Sequence, residues 1–145
     1  MKPIIFLFSL VILAGCSAEV KITNYDDRDY TIGKKREVFF GREMLTYEYG
    51  AYRDSYGPSV RAGERWQIEY AGIIKGVIQL KYREYSLSPQ STLYGYTTAV
   101  YARPAYNQDL TYDISESKII RFKNIRLEIH SADQEKIVFT VLEAP

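Results

Sequence analysis

The sequence has few of the residues that carry metal binding and redox chemistry. Only one cysteine, Cys16, and one histidine, His130, occur among its 145 residues. Beyond Cys16 the chain has no thiol, which excludes disulfides, thiol chemistry and cysteine-bound zinc from the rest of the chain. A lone histidine cannot assemble a multi-histidine zinc site either. Stability must therefore come from packing, and we expect no metal and no other cofactor.

An excess of charge of one sign is also missing. The chain has 19 Lys and Arg residues against 18 Asp and Glu residues. A balanced surface gives no reason to expect a nucleic acid or another polyanion as a partner. The sequence also lacks a phosphate-binding loop, a dinucleotide fingerprint and the G-x-S-x-G nucleophile motif.

Long apolar runs are missing except at the N-terminus. Lys2 is followed by an apolar run from 3 to 13, which only Ser9 interrupts, and then by small residues before Cys16. This is the layout of a secretory signal peptide, and it is too short to span a bilayer.

The stretch Leu13-Ala14-Gly15-Cys16 resembles the lipobox of bacterial lipoproteins. The resemblance implies that residues 1–15 are a lipoprotein signal peptide, and that Cys16 then carries a diacylglyceryl thioether and an acyl chain such as palmitate on its amine. Two or more acyl chains anchor a protein durably, whereas one holds it only marginally. Ser17 stands where aspartate favours inner-membrane retention in Gram-negative lipoproteins. The resemblance therefore implies the outer membrane, with the domain facing the periplasm or the cell surface.

The rest of the chain is expected to form one domain built from strands. Removing residues 1–15 from the 145 leaves 130, a normal size for a single domain. We expect 16–35 to be the lipidated N-terminus and a tether with room for one short strand at 20–23, because the acids within 24–29 favour a solvated linker. Residues 36–145 are expected to form a single β-domain. Alternating apolar residues predict an all-β fold, an antiparallel β-sandwich or a small β-barrel of about seven to nine strands.

The clearest period-two alternation lies in 65–86. Two alternating runs joined by a short link between glycines predict an antiparallel hairpin at the centre of the sheet. Residues 50–63 are expected to be a loop, and 87–91 a break between strands. Other strands are expected around 45–49, 92–101, 118–122, 125–130 and 136–142.

Two segments have the composition of binding surfaces. One is 103–113, which Pro104 stiffens, and the other lies in the expected loop 50–63. Tyrosine and arginine beside a rigid sheet are typical of binding loops and of interface hot spots. The same side chains can instead clamp a loop onto the sheet. The candidate binding residues are Arg103, Tyr106, Gln108, Asp109 and Tyr112 in the first segment, and Tyr52, Arg53 and Tyr56 in the second.

Candidate catalytic groups are scarce. His130 ends a strand whose alternation turns Ile129 inwards, so its ring is expected at the surface. Glu69 and Glu84 lie on the two arms of the central hairpin, and glycosidases use such a pair of carboxylates. Each has a cationic neighbour, however, which favours ion pairs on a solvated face. The sequence therefore predicts no catalytic residue and no enzyme.

Tyrosine is unusually frequent, with 14 copies against 6 phenylalanines and 1 tryptophan. Its ring fits a half-buried pleated surface, and it is also enriched in interfaces. Both interpretations stay open at this point.

Several segments of the C-terminal half are similar to small bacterial envelope lipoproteins that carry no assigned function. The resemblance supports the signal-peptide interpretation and implies nothing about chemistry. The similar segments are Tyr82-Arg83-Glu84-Tyr85, Ala102-Arg103-Pro104-Ala105-Tyr106, 108–113, 117–122 and 125–129.

These observations predict an outer-membrane-anchored lipoprotein that acts as a non-enzymatic interaction module for another envelope component. Its expected partners are the membrane, through the lipid, and an envelope protein. The alternative is a β-module that binds a glycan or another small ligand, with Trp66 or exposed tyrosines as stacking platforms. A hydrolase ranks third, because no acid and base set is present.

Overall fold

The computed structural model describes residues 21–54 and 59–145, and β-strands form most of its regular structure. A 3-10 turn, Pro104–Tyr106, lies between the sixth and seventh strands. The strands are β1 (Lys21–Arg28), β2 (Lys35–Phe39), β3 (Glu43–Asp54), β4 (Val60–Ile74), β5 (Val77–Thr92), β6 (Gly95–Ala102), β7 (Gln108–Asp113), β8 (Ile119–Phe122), β9 (Ile125–Ala132) and β10 (Lys136–Glu143).

The strands form two antiparallel sheets. Sheet A has the order β1-β3-β4-β5-β6, and β7 pairs with the first part of β5. Sheet B has the order β2-β10-β9-β8. Neither sheet closes into a barrel within the described residues. The prediction of an antiparallel all-β fold is confirmed in its sandwich form, with ten strands rather than seven to nine.

The hydrophobic core lies between the inner faces of the two sheets. Alternate side chains of β3, β4 and β5 turn inwards, as the period-two pattern predicts, and meet the inward residues of β9 and β10. Each fully buried aliphatic side chain contributes roughly 1.5–3 kcal/mol. The core includes Leu45, Ile68, Tyr70, Ile78, Leu80 and Tyr82 from sheet A, and Val38, Ile120, Ile125, Leu127, Ile129, Ile137, Phe139 and Val141 from sheet B.

The central hairpin is confirmed as the pair β4 and β5. Its turn has two residues, Lys75 and Gly76, between the paired Ile74 and Val77. Both turn residues have positive φ, 50° and 82°. That combination defines the tight turn whose twist matches an antiparallel hairpin, and glycine tolerates it well.

In the described part of the expected tether 16–35, a longer strand replaces the short one expected at 20–23, and the linker expected at 24–29 is wrong. Lys21–Arg28 is strand β1, which pairs along its whole length with β3. The acids that favoured a linker have partners there: the Asp29 carboxylate accepts the Thr46 amide at 2.7 Å, and Asp26 accepts the Tyr47 hydroxyl at 3.0 Å. Tyr30 is buried in the core. Seven of the eight residues of this edge strand are exposed, so its charged composition resembles that of a linker.

The expected loop 50–63 is also mostly strand. β3 continues to Asp54 and β4 begins at Val60, with Gly50 directly opposite Gly63. A Cβ on Gly63 would lie 2.1 Å from the Tyr49 carbonyl oxygen, and one on Gly50 would lie 2.1 Å from the Ala62 carbonyl oxygen. The glycines therefore allow two backbones to approach closely and do not mark a loop.

The expected break at 87–91 is likewise part of a strand. β5 runs to Thr92 through Pro89, and its pairing with β4 extends only as far as Leu87, opposite Gly63. From Ser88 onwards β5 pairs with β6 alone. Pro89 lacks an amide donor and is tolerated because it lies beyond the β4 ladder. The last part of the β5–β6 hairpin is thus a two-stranded ribbon.

Candidate functional site

An open cleft of about 360 Å³ lies on the inner face of sheet A. Strands β3, β4 and β5 have 12, 15 and 16 residues, whereas the strands of sheet B have four to eight. Sheet B therefore covers only part of the inner face, and the uncovered part begins beside the core. We call this site the aromatic cleft. Its lining includes Tyr47, Tyr49, Glu64, Trp66, Tyr82, Glu84, Lys123 and Asn124.

Four aromatic rings form the floor of the aromatic cleft. Tyr47, Trp66 and Tyr82 follow one another across β3, β4 and β5, with ring centroids 5.6 Å and 6.3 Å apart. The ring of Tyr49 stacks on Tyr47 at 5.4 Å. Strand pairing places Trp66 of β4 between two partners, Tyr47 of β3 on one side and Glu84 of β5 on the other. The floor is thus a direct product of period-two alternation in three neighbouring strands.

Two carboxylates and two cations surround this floor. The Lys123 ammonium donates to the Glu84 carboxylate and to the Tyr82 hydroxyl, each at 2.9 Å. Tyr82 in turn donates to the same Glu84 oxygen at 2.6 Å. Arg103 lies 2.9 Å from Glu64 and 3.7 Å from Glu84. Each carboxylate of the cleft therefore has a cationic partner.

The network keeps Glu84 ionised. Burial on its own would raise the pKa of Glu84, but hydrogen bonds from Tyr82 and Lys123, with the charges of Lys123 and Arg103, hold that pKa below its usual range. Burial, followed by the hydrogen bond to Glu84, strongly raises the pKa of the Tyr82 hydroxyl. A general acid needs a carboxyl pKa near the working pH. Glu84 is instead a charged hydrogen-bond acceptor.

The segment after β6 closes one side of the aromatic cleft. The Arg103 amide donates to the Glu84 carbonyl at 2.8 Å, and Glu84 donates its own amide to the Asn107 side chain at 3.2 Å. These bonds hold the 3-10 turn in the gap that β6 and β7 leave along β5. The Arg103 guanidinium lies over the Tyr106 ring, 4.3 Å from its centroid. Two of the candidate binding residues, Arg103 and Tyr106, are thereby placed together beside the cleft.

The remaining candidates in the same segment mainly attach β7 to its neighbours. Asp109 pairs with Arg83 at 3.1 Å. Tyr112 is half-buried and donates its hydroxyl to the Arg121 carbonyl at 3.0 Å. Gln108 is exposed at the start of β7, opposite Tyr82. The clamping interpretation therefore describes Asp109 and Tyr112 better than the binding interpretation does.

The candidates of the expected loop 50–63 lie apart from the aromatic cleft. Tyr52 is half-buried on the outer face of sheet A, where its ring lies 4.6 Å from that of Tyr25. Arg53 is exposed near the end of β3. Tyr56, like the lipidation candidate Cys16, lies outside the described residues.

A buried carboxylate holds the outer face next to Tyr25. Glu48 accepts hydrogen bonds from Arg61 at 2.6 Å, from the Nε of Arg65 at 2.7 Å and from the Tyr25 hydroxyl at 3.0 Å. Burial, followed by the hydrogen bond to Glu48 and its charge, raises the pKa of Tyr25 to about 12. The cluster is internally satisfied, and we assign it a structural role.

The edge of sheet A formed by β6 differs from the other sheet edges. β6 reads Gly-Tyr-Thr-Thr-Ala-Val-Tyr-Ala and has no charged residue. Tyr96, Val100 and Tyr101 are exposed on it. By contrast, β1 carries four charged residues, β2 three, and β8 is only four residues long. Charge and short length protect sheet edges from pairing with other chains, and β6 lacks both protections.

The other chemical candidates lie elsewhere. His130 is exposed on β9, as the alternation in that strand predicts. A ring nitrogen of His130 contacts the Thr140 hydroxyl at 2.8 Å. Glu69 pairs with Lys81 at 3.6 Å on the face opposite Glu84, so these two carboxylates do not form a site. The described ranges contain no group of three or more His, Cys, Asp or Glu residues placed to hold a metal. In residues 21–54 and 59–145 there is also no helix long and apolar enough to cross a bilayer.

Comparisons of the chain with protein-family models, with curated proteins and with solved structures find no match. The function must therefore be inferred from the site residues themselves. Sequence reasoning missed Glu64, the partner of Arg103, and Lys123, the partner of Glu84, and it missed the uncharged edge. The signal for Glu64 was available, because it shares the parity of Trp66 in β4.

Proposed function

We propose that this chain is a lipid-anchored, non-enzymatic binding module of the bacterial outer membrane, and that it binds an envelope protein through β6. The observation that carries the proposal is the exposed edge strand without a charge. An eight-residue edge with three exposed large apolar side chains presents both free backbone groups and apolar surface. Such an edge supports the addition of a partner strand, in which main-chain hydrogen bonds give affinity and side chains give specificity.

The surface next to β6 would extend this contact. Tyr101 is paired with Ser86, two residues along β5 from Glu84, so it lies on the same face as the aromatic cleft. Arg103 and Tyr106 follow directly and stack on each other. Aromatic residues and arginine are the side chains that most often dominate binding energy at interfaces. A partner strand along β6 would therefore meet these side chains at the cleft end of the edge.

The proposed lipid on Cys16 would hold the module at the membrane surface. Confinement near the membrane raises the effective concentration of the domain towards other envelope components. A modest edge contact would then be enough for a stable complex. The non-enzymatic part of the proposal is supported by Glu84, which its neighbours keep ionised, and by the full pairing of the cleft carboxylates.

A charge placed on the edge tests the proposal. Val100→Lys puts a cation on β6 at an exposed position, so we expect unchanged unfolding but loss of the envelope protein that co-purifies with the acylated wild type. Phe39→Lys is the matched control, because Phe39 is also a large exposed apolar residue, on the edge strand β2. Retention of the same protein by Val100→Lys, or its loss in both variants, would contradict binding through β6.

A second candidate function is binding of a glycan or another small ligand in the aromatic cleft. It is favoured by Trp66, which lies between two tyrosine rings in a concave site rimmed by charged and amide groups. Aromatic floors with a few polar groups are typical of small-ligand sites. Because Trp66 is the single tryptophan, its fluorescence reports on the cleft alone. A saturable change with cell-wall glycan fragments, reduced in Tyr49→Ala, is the expected result; an unchanged spectrum would exclude this candidate.

A further inference from the structure

The tip of the β5–β6 hairpin carries the two most exposed large apolar residues of the described chain. Leu93 and Tyr94 are each 97% exposed. They form a two-residue loop between the paired Thr92 and Gly95. Both lie beyond Leu87, the last residue of β5 that pairs with β4.

The fold does not require leucine and tyrosine at this tip. The turn is held by Thr92, whose hydroxyl donates to the Gly95 carbonyl at 3.1 Å and accepts the Tyr94 amide at 3.3 Å. Hairpin loops of this length usually carry glycine, asparagine or aspartate. Two fully exposed apolar side chains therefore have no structural role here.

The tip lies at the same end of sheet A as the start of β1. Lys21 is paired with Asp54, at the end of β3, and Arg53 with Val60, at the start of β4. Leu87 is paired with Gly63, and β5 continues for five more residues to Thr92. The end of β5 and the hairpin tip therefore point towards the same end of sheet A as Lys21.

The chain between Cys16 and Lys21 is short. Five residues span at most about 17 Å when fully extended. An acylated Cys16 would therefore hold the Lys21 end of sheet A within that distance of the lipid surface. Sheet A is about 15–20 Å wide between β1 and β6 at the usual strand spacing. A tether of this length allows the tip to reach the same membrane surface.

We infer that Leu93 and Tyr94 form a second membrane contact, inserted into the interfacial region of the leaflet that carries the Cys16 lipid. The inference rests on the lipid anchor of the proposed function. Tyrosine is enriched where membrane meets water, and an apolar neighbour buries favourably there. Two contact points at one end would stop the domain from rotating freely about its anchor and would turn the β4–β5 turn away from the membrane.

The test uses the acylated full-length protein and a fluorescent probe. Because Cys16 is the only cysteine and its thiol is proposed to be acylated, Tyr94→Cys offers a single reactive thiol for an environment-sensitive dye. Glu116→Cys is the matched control, since Glu116 is exposed just after β7 at the opposite end of sheet A. Each labelled protein is bound to vesicles of phosphatidylethanolamine and phosphatidylglycerol that carry a quencher on the acyl chains.

We expect the probe at position 94 to shift to the blue and to be quenched in the vesicles, and the probe at 116 to emit as in water. Leu93→Cys should behave like Tyr94→Cys, which shows that the result does not depend on a single labelled position. Protein that floats with the vesicles while the probes at 93 and 94 emit as in water would overturn the tip contact alone. Protein that fails to float would overturn the lipid anchor and this inference with it. A blue shift without quenching would identify a protein contact instead and would also overturn the inference.

Discussion

Buried tyrosines should make this domain unusually sensitive to alkali. Tyr30 is 5% exposed and Tyr70 is 0% exposed, although both carry an ionisable hydroxyl. Burial raises the pKa of each to about 12, and for Tyr70 the charge of Asp133 adds to the effect. The Tyr30 hydroxyl donates to the Pro145 carbonyl at 2.5 Å, and Tyr70 donates to the Asp133 carbonyl. Ionisation would cost both hydrogen bonds.

The direction and size of the effect follow from the raised pKa values. A group whose pKa is higher in the folded state stabilises the fold fully below its unfolded pKa, near 10, and that contribution is lost as the pH rises towards 12. At pH 11 an unfolded tyrosine is mostly ionised and a folded one with a pKa of about 12 is not, a difference of roughly 1.4 kcal/mol per group. Tyr30 and Tyr70 together therefore lose roughly 3 kcal/mol of a total that is typically 5–15 kcal/mol.

Urea denaturation at pH 8, 9, 10 and 11, followed by the fluorescence of Trp66, measures this loss. Tyr70→Phe removes one ionisable hydroxyl, so the fall in the free energy of unfolding between pH 9 and 11 should be about 1.4 kcal/mol smaller than in wild type. Tyr94→Phe, at the exposed tip, is the control with no packing to lose. A wild-type stability that stays flat up to pH 11, or an equal slope in Tyr70→Phe, would refute the reasoning.

Three further substitutions have definite expected results. Gly63→Ala should destabilise the domain by about 3 kcal/mol or more, because its Cβ would lie 2.1 Å from a carbonyl oxygen in β3. Glu48→Gln should cost about 2 kcal/mol in chemical denaturation, since it leaves two arginines without their shared carboxylate. Cys16→Ser should release the protein from the membrane fraction of cells, because the proposed acyl chains would be lost.

Each of these three predictions has an outcome that would contradict it. Glu69→Gln is the control for Glu48→Gln, because Glu69 pairs with Lys81 at 3.6 Å near the surface and should cost less than about 1 kcal/mol. Equal costs for the two variants would mean that burial of Glu48 contributes nothing. An unchanged unfolding midpoint in Gly63→Ala would show that β3 and β4 are further apart there. Unchanged membrane fractionation of Cys16→Ser would contradict the proposed anchor.

The sequence predicted what depends on alternation. The β4–β5 hairpin, the inward row Ile125, Leu127 and Ile129, and the exposed His130 all follow from a period of two in strands with one buried face. The antiparallel all-β class followed for the same reason. Alternation decides which face a side chain occupies, and it needs no knowledge of the partner strand.

The rest could not be predicted because it depends on pairing between distant strands. The charged stretch Lys21–Arg28 is a strand only because β3 lies beside it. The sequence predicts a loop around Gly50 and Gly63, and only the pairing of these two residues shows that they allow a close backbone approach. Lys123 reaches Glu84 across 39 residues of sequence. The lack of charge in β6 is informative only when β6 is known to be an edge strand. From the sequence alone, candidate binding residues are therefore placed in the segment after β6.

The most direct test of binding through β6 is site-specific photocrosslinking in living cells. A photoreactive phenylalanine replaces Tyr101 on β6, which is 52% exposed, or Phe39 on β2, which is 58% exposed, in otherwise wild-type chains. We expect one discrete protein adduct from position 101 and none from position 39. Adducts from position 39 alone, or none from position 101 while the protein remains in the membrane fraction, would contradict the proposed binding edge.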